Sequence, residues 1–521
     1  MSQRPLRLGT RRSLLARAQS MAVARALERA HPGLSVELIG IDTRGDRILD
    51  VPLTQVDGKE FFTAEIDAAL RAGAVDITVH SYKDLALDRP GGLHLGAVPR
   101  RENPRDIVIF AADVAERLAE GRGLRIGSSS PRRQSFVPDF LQRALPRIAG
   151  KDSPAVQMCE LRGNIDTRLR RVREARGSER ALDGVVLAFA GLSRLAEDRD
   201  VGAGAVVSEL LAGLPRMVLP LNQCPAAPAQ GALAVECRAD DERVRTLLTA
   251  IDDSATRVAI GAERALLEAR GGGCHQQFGA TQIQAAGLGD LFYLRETGAQ
   301  GALEPELRWQ LPPRPAKRQP AWDGSAQAAP AIEPLPGAAA ECARRLAKAP
   351  AVFIAHRRAL PDLDAAEINR CAHIWVSGTA TWFALAKRGV WIEGCAESLG
   401  FASLAPTLAS SLLALPPLGA WLALTHSEAV DGWGETAALA TYRHPAATSA
   451  AGATNSGASP AGAAQIWWHS GVQFERWRGE VTTGSAHACG PGKTTEHLRR
   501  EGVSPLTVFP SVHHWREWLR T

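Results

Sequence analysis

The feature that most constrains the fold is the alternation of short apolar segments with amphipathic segments in the N-terminal part of the chain. Leu6 to Leu8 and Val36 to Ile41 have the pattern of strands, and an alanine-rich helix from Leu14 to about Arg29 lies between them. Ile77 to Val79 and Gly184 to Phe189 are further apolar runs of strand length. Strands that alternate with helices predict parallel α/β sheets, and the ligands of such sheets lie beyond the carboxyl ends of the strands.

Basic residues gather at the ends of these predicted strands and in glycine-containing turns. Because arginine offers a rigid fork of donors that matches a carboxylate or a phosphate, these positions predict a bound anion. Nucleic acid is disfavoured, because the clusters contain no interleaved aromatic residues on which bases could stack. A polycarboxylate or a phosphorylated small molecule fits better. The clusters are Arg11 with Arg12, Arg100 with Arg101, Arg132 with Arg133, and Arg162 with Arg168.

The length of 521 residues predicts three or four domains. Two α/β units that face each other would make a two-lobed binding protein with a cleft between the lobes. No apolar run is long enough to span a bilayer, and the N-terminus lacks the apolar segment of a secretory signal, so we expect a cytoplasmic protein without a membrane partner. The eight cysteines include no C-x-x-C pair, which argues against a zinc site or a disulfide framework, and we expect no metal.

Three consecutive glycines, Gly271 to Gly273, precede Cys274 and follow a predicted helix from Ala259 to Arg270. Glycines allow the backbone to turn sharply and to lie against a bulky neighbour. An exposed loop of this kind suits a thiol that carries a covalently bound group. The alternative is a glycine turn that ends the helix and is followed by a small buried cysteine.

The composition changes between Glu304 and Gly337, where crowded prolines with alanine and glutamine are typical of an exposed linker or a long loop. All 12 tryptophans lie at or beyond Trp309, which indicates a separate C-terminal region. This region contains two similar segments, 373–379 and 465–471, in which an apolar run leads through Ser-Gly into a predicted helix. Residues 444–464 between them are rich in alanine, serine and glycine, and we expect them to be disordered.

Eight short motifs of the N-terminal region occur together in a characteristic order. In these motifs the chain, from about residue 4 to residue 349, resembles porphobilinogen deaminase, also called hydroxymethylbilane synthase. Each motif alone is weakly specific, whereas the ordered set is highly specific. The motifs are GTRRS near the start, TRGD at 43–46, VHSYKD at 79–84, SSSPRRQ at 128–134, LRGNIDTRL at 161–169, AGLSRL at 190–195, QGALAVECR at 230–238 and GGGC at 271–274.

The resemblance implies a particular α/β architecture. Two α/β lobes like those of periplasmic binding proteins are followed by a small α+β domain that carries the cofactor and then by an α/β C-terminal region. We expect a monomer. The implied boundaries are 1–105 with about 212–238 for the first lobe, 106–211 for the second lobe, 239–349 for the third domain with a proline-rich insertion at about 312–336, and 350–521 for the C-terminal region with a low-complexity loop at about 444–464.

The resemblance also implies the cofactor and the reaction. A dipyrromethane cofactor would be joined to Cys274 by a thioether, and porphobilinogen units would be added one at a time with loss of ammonia, until a linear tetrapyrrole is released by hydrolysis. Asp84 and Lys83 fall on catalytic positions that also bind the cofactor. The further cofactor-binding positions are Ser128, Ser129, Arg132, Arg133 and Arg162, and the substrate-binding positions are Arg11, Ser13, Lys59 on a mobile loop, Arg162, Arg168 and Arg194.

The chemistry of this reaction accounts for the residue types. A carboxylate near the pyrrole N–H groups can stabilise developing positive charge and transfer protons, and Lys83 would keep Asp84 ionised. Each pyrrole carries an acetate and a propionate, so basic groups from both lobes are needed as the product grows. Taken singly, Asp84 could equally be a turn or cap residue, His80 a structural histidine, and the arginine pairs a solvated surface. A non-enzymatic module that binds polyanions is the alternative for the whole chain.

The C-terminal region, residues 350–521, resembles uroporphyrinogen-III synthase in its paired strand–helix segments, in ACGPGKTTEHLRREG at 488–502 and in Leu422 to Arg443. The resemblance implies that this region cyclises the linear tetrapyrrole to uroporphyrinogen III. The alternative is a degenerate domain without catalysis. Residues 490–494 lack the full spacing of a phosphate-binding loop. The candidate binding residues of this region are Ser377, Thr379, Ser470, Gly490, Lys493 and Thr494.

Overall fold

The structure is a computed structural model that describes residues 4–43, 63–148, 151–272, 277–314, 319–324, 332–444 and 459–520. Lys59, Cys274, most of the motif at 43–46 and most of the segment 444–464 lie outside the described residues, so what is predicted for them stays a prediction. In the part of the chain that is described, no single helix is long and apolar enough to span a membrane. One pair of helical segments bent by 84°, Phe401–Leu408 and Ser411–Ala420, has the required length and composition only when the two are taken together.

The N-terminal residues form an α/β lobe with a sheet that packs against its first helix. Its elements are β1 (Leu6–Arg11), α1 (Leu14–Ala30), β2 (Val36–Ile41), α2 (Ala64–Arg71), β3 (Ile77–Ser81) and β4 (Leu93–Ala97). Leu8, Leu27 and Ile77 are fully buried in the core between the strands and α1. The helix α1 begins after Ser13, because the hydroxyl of this residue accepts a hydrogen bond from the Ala16 N–H.

A second α/β lobe follows directly. It carries the apolar core around Phe136, Phe140 and Val186, all fully or almost fully buried. Its elements are β5 (Asp106–Phe110), α3 (Val114–Glu120), β6 (Leu124–Gly127), α4 (Pro131–Ala144), β7 (Val156–Cys159), α5 (Ile165–Arg171), β8 (Gly184–Ala188), α6 (Phe189–Glu197), α7 (Ala203–Leu211) and β9 (Arg216–Val218).

Both sheets are mixed, so the prediction of parallel sheets is wrong in part. The first sheet has the order β2-β1-β3-β10-β4, where β10 (Leu233–Arg238) is antiparallel to β3 and to β4. The second has the order β7-β6-β8-β5-β9, where β5 is antiparallel to β8 and to β9. The physical reason is that the chain passes from the first lobe to the second and back again. The first strand after each passage, β5 or β10, runs against its neighbours.

The predicted boundary between the lobes also needs correction. The prediction assigns residues 212–238 to the first lobe, but β9 pairs with β5 in the second sheet. The chain rejoins the first sheet only at Leu233, where β10 begins. A three-residue strand has too little periodicity to be recognised from the sequence.

A small domain with an antiparallel sheet follows β10. Its helix α9 begins earlier than the predicted Ala259, because the Asp253 carboxylate caps it by accepting the Thr256 N–H at 2.7 Å. Gly271 and Gly272, with φ of +84° and +67°, follow this helix in the left-handed region that favours glycine. The elements are α8 (Glu242–Leu248), α9 (Ser254–Glu268), β11 (Phe278–Ala285), β12 (Gly289–Gly298), β13 (Gly301–Ala302) and β14 (Glu306–Trp309).

The C-terminal region contains two further sheets. The six-stranded sheet has the order β16-β21-β20-β17-β18-β19 and the four-stranded sheet has the order β15-β22-β23-β24; all neighbours are parallel except β16 with β21. The elements are β15 (Ala321–Trp322), β16 (Glu333–Pro334), α10 (Ala338–Leu346), β17 (Ala351–Ile354), α11 (Ala365–Ile368), β18 (His373–Val376), α12 (Thr379–Ala386), β19 (Gly394–Cys395), α13 (Ala405–Leu408), β20 (Trp421–His426), β21 (Ala437–Arg443), β22 (Gln465–Trp468), α14 (Gly471–Trp477), β23 (Ala486–Cys489), α15 (Lys493–Arg500), β24 (Leu506–Val508) and α16 (Val512–Arg520).

The described part of the proline-rich segment 304–337 contains three short strands that its composition does not predict. It supplies β14 to the third domain, β15 to the four-stranded sheet and β16 to the six-stranded sheet. Proline is compatible with such short edge strands, because one side of an edge strand needs no N–H for pairing. The C-terminal region therefore begins at β15 and not at residue 350.

The C-terminal region packs against the second lobe through aromatic side chains. The rings of Trp382 and Phe140 lie edge to face at 5.2 Å, and the Trp382 indole N–H donates to the Ala144 carbonyl at 3.0 Å. Below them, Arg105 forms a 2.6 Å ion pair with Glu397, a fully buried side chain of the C-terminal region. The two parts of the chain thus share a continuous apolar core.

Candidate active site

The turn Tyr82–Asp84 follows β3 and carries the predicted catalytic pair. The side chain of Asp84 is exposed, whereas Lys83 points inward and its ammonium donates to the Gln230 Oε1 at 3.2 Å. Burial lowers the pKa of Lys83, the Asp84 carboxylate opposes this change, and the Arg133 guanidinium adds to it. Lys83 therefore lies between the exposed carboxylate and a buried cluster of arginines.

That buried cluster is centred on Asp106, the first residue of β5. Its carboxylate, which is 0% exposed, accepts hydrogen bonds at 2.7 Å from Arg132 Nη2 and from Arg133 Nη2. Gln230 Nε2 donates to the same carboxylate at 2.8 Å. Burial alone would raise the pKa of Asp106, but the two guanidinium groups lower it well below its usual range. Gln230 connects this cluster to Lys83, and so connects the core of the second lobe to the turn Tyr82–Asp84, called the catalytic turn after its predicted role.

Arg132 and Arg133 consequently face the protein interior with most of their donors. Arg132 Nη1 donates to the Pro225 carbonyl at 2.7 Å, and Arg133 Nη1 donates to the Val186 carbonyl at 3.1 Å. In each of the two side chains the buried Nε atom has no hydrogen-bond partner among the described residues. The structure places both arginines beneath the site, and the prediction that they contact the cofactor stays a prediction.

Arg168, on α5 of the second lobe, lies close enough to Asp84 of the first lobe for their charges to interact. Burial lowers the pKa of Arg168 to about 10; the cations Arg133 and Arg162 lower it further, whereas the Asp84 carboxylate raises it. The Arg168 Nε donates to the Gly163 carbonyl at 2.8 Å, which fixes the side chain. Three arginines of the predicted set are thus brought together near Asp84, with an excess of positive charge.

The predicted serines form hydrogen bonds with the backbone of neighbouring loops. The Ser129 hydroxyl donates to the Leu161 carbonyl and accepts from the Leu161 N–H, and it thereby joins two of the motifs. The Ser128 hydroxyl accepts the Ser130 N–H at 3.3 Å at the start of α4. Together with the Ser13 cap, these contacts position backbone around the cleft.

Arg11 and Arg194 occupy different environments. Arg11 ends β1, close enough to the buried His80 for its charge to lower the pKa of that histidine. Arg194 donates to the Gly231 carbonyl at 2.6 Å, and burial lowers its pKa to about 10, with opposition from Glu102. Arg194 therefore connects α6 to the turn before β10 rather than standing at the surface.

His80 belongs to a buried ion cluster on the other side of β3. Its Nε2 lies 3.5 Å from Glu236 Oε2, and Arg89 Nη2 contacts both Glu236 and Asp67 at 2.7 Å. Burial lowers the pKa of His80, and Glu236 opposes this change. The arrangement agrees with the structural alternative for this histidine.

The third domain is fixed to the catalytic turn by residues that the sequence motifs do not single out. Arg264 of α9 donates to the carbonyls of Tyr82, Leu85 and Ala86 at 3.3, 3.1 and 2.9 Å, and its guanidinium lies 4.6 Å from the Tyr82 ring centre. A Cβ on Gly272 would lie 2.9 Å from Leu87 Cδ1. The glycine turn therefore packs against the segment that follows Asp84.

A second missed pair fixes the same domain to the crossing between the lobes. Glu263 is fully buried; it forms a 2.6 Å ion pair with Arg101 and accepts the N–H groups of Ala229 and Gln282 at 2.7 Å. Gln230 lies within the motif at 230–238, but the motif does not indicate a role for its side chain. The basic pair Arg100–Arg101 was the only sequence signal for these contacts. It predicted a bound anionic ligand instead of an ion pair with a buried glutamate of the chain.

The described cysteines are poor candidates for covalent chemistry. Six of the seven are buried, and only Cys159 is partly exposed. Burial raises the pKa of Cys224 and of Cys342 to about 12, and of Cys237 and Cys371 to about 11. Since the thiolate is the nucleophile, these side chains are unreactive near neutral pH.

A cavity of about 940 Å³ lies where the deaminase-like part meets both sheets of the C-terminal region. It is lined by residues 100–105, by parts of α9 and β11, and by Gly400, Thr495 and Arg499. None of the six candidate residues of the C-terminal region is among its lining residues. Of these six, Ser470 caps α14, Ser377 contacts the Thr381 hydroxyl at 3.2 Å, and Lys493 lies 4.6 Å from the Trp433 ring centre.

Comparison with known proteins identifies the N-terminal half. Residues 6–246 match the family model described as "Porphobilinogen deaminase, dipyromethane cofactor binding domain". Porphobilinogen deaminase of Roseiflexus sp. (strain RS-1) is 43% identical over 52% of this chain and 80% of the relative. Porphobilinogen deaminase of Syntrophobacter fumaroxidans is 40% identical over 54% of this chain and 80% of the relative.

A likeness to solved structures is much weaker. The periplasmic aliphatic sulphonate binding protein SsuA from Escherichia coli matches with 14% identity and a TM-score of 0.24, over 52% of this chain and 76% of that protein. A score this low carries no argument about the fold. The sequence comparisons confirm the deaminase resemblance and the dipyrromethane cofactor, while the resemblance of the C-terminal region remains a prediction.

Proposed function

Because the chain belongs to the porphobilinogen deaminase family, and so acts on porphobilinogen with a dipyrromethane cofactor, we propose that Asp84 is the proton-transferring carboxylate and that Cys274 is the site of cofactor attachment. The carrying observation is the contact between the glycine turn and the catalytic turn. A Cβ on Gly272, two residues before Cys274, would meet the side chain of Leu87, three residues after Asp84. The loop that leads to Cys274 therefore starts next to the segment that follows Asp84.

The residues present fit the cofactor. When bound, dipyrromethane supplies the pyrrole to which substrate units are joined, and its side chains are carboxylates. Arg168, Arg162 and Arg133 concentrate positive charge near Asp84; burial is the main cause of the lowered pKa of Arg168, and the cations Arg133 and Arg162 lower it further. Carboxylates that enter the cleft would relieve the repulsion. The Nε atoms of Arg132 and Arg133 are buried donors without a hydrogen-bond partner among the described residues.

The exposure of Asp84 supports its proposed role. Its exposed carboxylate can accept a proton from a pyrrole nitrogen and stabilise the positive charge that develops while ammonia departs. Lys83, Gln230 and Asp106 hold the turn from below, so they act as positioning residues in this proposal. Arg264 fixes the backbone of the same turn through its carbonyls.

The test compares Asp84→Asn with Asp88→Asn. Asp88 is exposed and lies four residues further along the chain, so its variant controls for the loss of one surface carboxylate. We expect porphobilinogen consumption to fall by about two to four orders of magnitude in Asp84→Asn and to stay within about twofold in Asp88→Asn. Turnover by Asp84→Asn close to that of the unaltered chain would contradict the proposed proton transfer.

Attachment is tested separately by intact-protein mass spectrometry. The unaltered chain should carry an added mass equal to two linked pyrroles, on a peptide that contains Cys274. Cys274→Ser should lose that mass and the activity, whereas Cys159→Ser, which removes the one partly exposed described cysteine, should keep both. An added mass on any other cysteine would refute the assignment.

For the C-terminal region we propose cyclisation of the linear product. The supporting observation is the 940 Å³ cavity, which has the size of a ligand site for a large small molecule and opens between the two parts of the chain. A product released close to this cavity would meet it at a high effective concentration. The exposed Arg100 and Arg499 among its lining residues supply positive charge for a polycarboxylate.

Arg499→Glu in the full chain tests this proposal, with Arg500→Glu as its control. Both arginines are exposed on α15, but only Arg499 lines the cavity. We expect the ratio of type III to type I uroporphyrinogen to fall at least about threefold in Arg499→Glu and to stay unchanged in Arg500→Glu. If the unaltered chain makes only the type I isomer, the alternative of a non-catalytic domain is correct.

A further inference from the structure

One edge of the six-stranded sheet in the C-terminal region carries a histidine after each of three neighbouring strands. His356 follows β17, His426 ends β20, and His444 follows β21. Because β17, β20 and β21 are parallel neighbours, their carboxyl ends meet at one edge of the sheet. This edge is where ligands of α/β sheets bind, and the deaminase reaction makes no use of it.

Two of these histidines converge on one carboxylate. Glu428 Oε2 lies 2.8 Å from His426 Nδ1 and 3.3 Å from His444 Nδ1. The His426 and His444 ring centres are 5.0 Å apart. Glu428 Oε1 accepts the backbone N–H of His444 at 3.2 Å, so the carboxylate is fixed in the orientation that presents Oε2 to both rings.

We propose that His426, Glu428 and His444 bind one divalent transition metal ion of the zinc class. Two imidazoles and one carboxylate are a ligand set that zinc takes in sites with an open fourth position. Bond lengths of about 2.0–2.2 Å in a tetrahedron separate ligand atoms by about 3.3 Å. The distances from Glu428 Oε2 to the two Nδ1 atoms, 2.8 and 3.3 Å, are close to this value, and the ligand atoms of the three residues all lie within 4.8 Å of one another. The side chains are 21%, 33% and 16% exposed, which leaves an entry path and room for water as a further ligand.

Both imidazoles would bind the ion through Nδ1. A neutral imidazole offers its Nδ1 lone pair when its proton is on Nε2, and a carboxylate binds a metal in its ionised form.

His356 does not complete the site in this arrangement. Its Nδ1 accepts the Arg358 N–H at 3.2 Å, which turns the ring toward its own loop. Tyr442, which is 5% exposed, packs against both ligand histidines. Its ring centre lies 5.6 Å from that of His426 and 5.5 Å from that of His444. The expected metal therefore has three protein ligands.

The other two clusters with metal-binding residue types differ in their charge. Asp67, His80 and Glu236 already hold Arg89, and Glu475, His497 and Glu501 hold Arg478. In the described part of the chain, no lysine or arginine forms an ion pair with Glu428. Among the described residues, this cluster is the one of the three whose carboxylate forms no ion pair with an arginine or a lysine.

The test is a titration of the EDTA-treated full chain with Co²⁺, followed by visible absorption and calorimetry, with Zn²⁺ as competitor. We expect one ion per chain with a spectrum of nitrogen and oxygen ligands. Glu428→Gln and His444→Gln should each weaken binding at least about tenfold. His513→Gln is the matched control, since His513 is an exposed histidine that forms an ion pair with Glu517 at 3.1 Å.

The proposal would be overturned by the absence of one-site binding by the unaltered chain, or by equal binding by Glu428→Gln, His444→Gln and the control. A sulfur-to-cobalt charge-transfer band would place the ion at a cysteine and would overturn it as well. Melting temperatures of the metal-free variants that agree with that of the unaltered chain show that a loss of binding is not a loss of folding.

Discussion

The two parts of this chain stabilise their interiors in opposite ways. In the deaminase part, buried carboxylates hold arginines: Asp106 binds Arg132 and Arg133, and Glu263 binds Arg101. In the C-terminal region the largest fully buried side chains are tryptophans. A part that must gather anions needs a fixed set of cations, and these stay in place only if carboxylates behind them balance part of the charge. The C-terminal region, which packs against the second lobe, needs buried apolar surface area instead.

This difference predicts where a single substitution costs most. Breaking a buried ion pair leaves an uncompensated charge and costs more than trimming an aromatic contact, which costs in proportion to the area and hydrogen bonds lost. A substitution at a buried ion pair of the deaminase part should therefore lower the free energy of unfolding more than a substitution at an aromatic contact of the C-terminal region.

Asp106→Asn should destabilise the chain most. The change leaves two buried guanidinium groups, those of Arg132 and Arg133, facing a neutral amide, and we expect a loss of about 3–5 kcal/mol in the free energy of unfolding. Urea unfolding followed by circular dichroism measures it. Asp113→Asn is the control: Asp113 also binds two arginines, Arg117 and Arg176, but it is 26% exposed, and its loss should cost about 1 kcal/mol or less. Equal costs would remove the contrast between buried and exposed pairs.

Trp382→Phe should have a smaller effect, at the contact between the two parts. The variant loses the hydrogen bond from the indole N–H to the Ala144 carbonyl and part of the buried ring against Phe140. We expect a loss of about 2 kcal/mol. Trp391→Phe is the matched control, since Trp391 is only partly buried against Phe110. If neither variant changes the unfolding midpoint of the second lobe, the aromatic contact does not couple the two parts.

The sequence predicted the elements around the site better than the roles of its residues. Periodicity placed β2 at its observed bounds and α1 to within one residue at its end, because long amphipathic patterns are specific. It missed β9, β15 and β16, which have two or three residues each. Such strands are stabilised by their neighbours in the sheet, and proline or glycine around them conceals the pattern.

The site was predictable as a set of motifs, but not as a network. The motifs named Asp84, Arg133 and Arg168, which the structure brings close together. Arg264 and Asp106 lie outside any assigned role, because an arginine that binds backbone carbonyls and an aspartate that holds other arginines look like ordinary surface residues in a sequence. Whether such a group is buried depends on contacts that span long separations along the chain.

The smallest predicted effect is the response of the C-terminal region to acid. Burial lowers the pKa of His356 to about 4, and the cations Arg358 and Arg357 contribute, whereas an unfolded histidine titrates near 6.5. The folded state therefore favours the neutral ring, so its contribution to stability is fully present above pH 6.5 and is lost as the pH falls toward 4.

Between pH 7 and pH 5.5 the loss should be about 1 kcal/mol. His356→Gln should remove that part of the acid sensitivity, while His426, which faces His356 from β20 and whose pKa burial also lowers, keeps its own contribution. His444, which follows β21, also faces His356. The exposed His513 provides the control variant His513→Gln, which should unfold like the unaltered chain at both pH values. The lowered pKa of the Asp106 carboxylate keeps that group ionised across the same interval, so the buried ion pairs of Asp106 with Arg132 and Arg133 should keep their contribution to stability. The same loss of stability between pH 7 and pH 5.5 in His356→Gln and in the unaltered chain would contradict the role of the His356 ring.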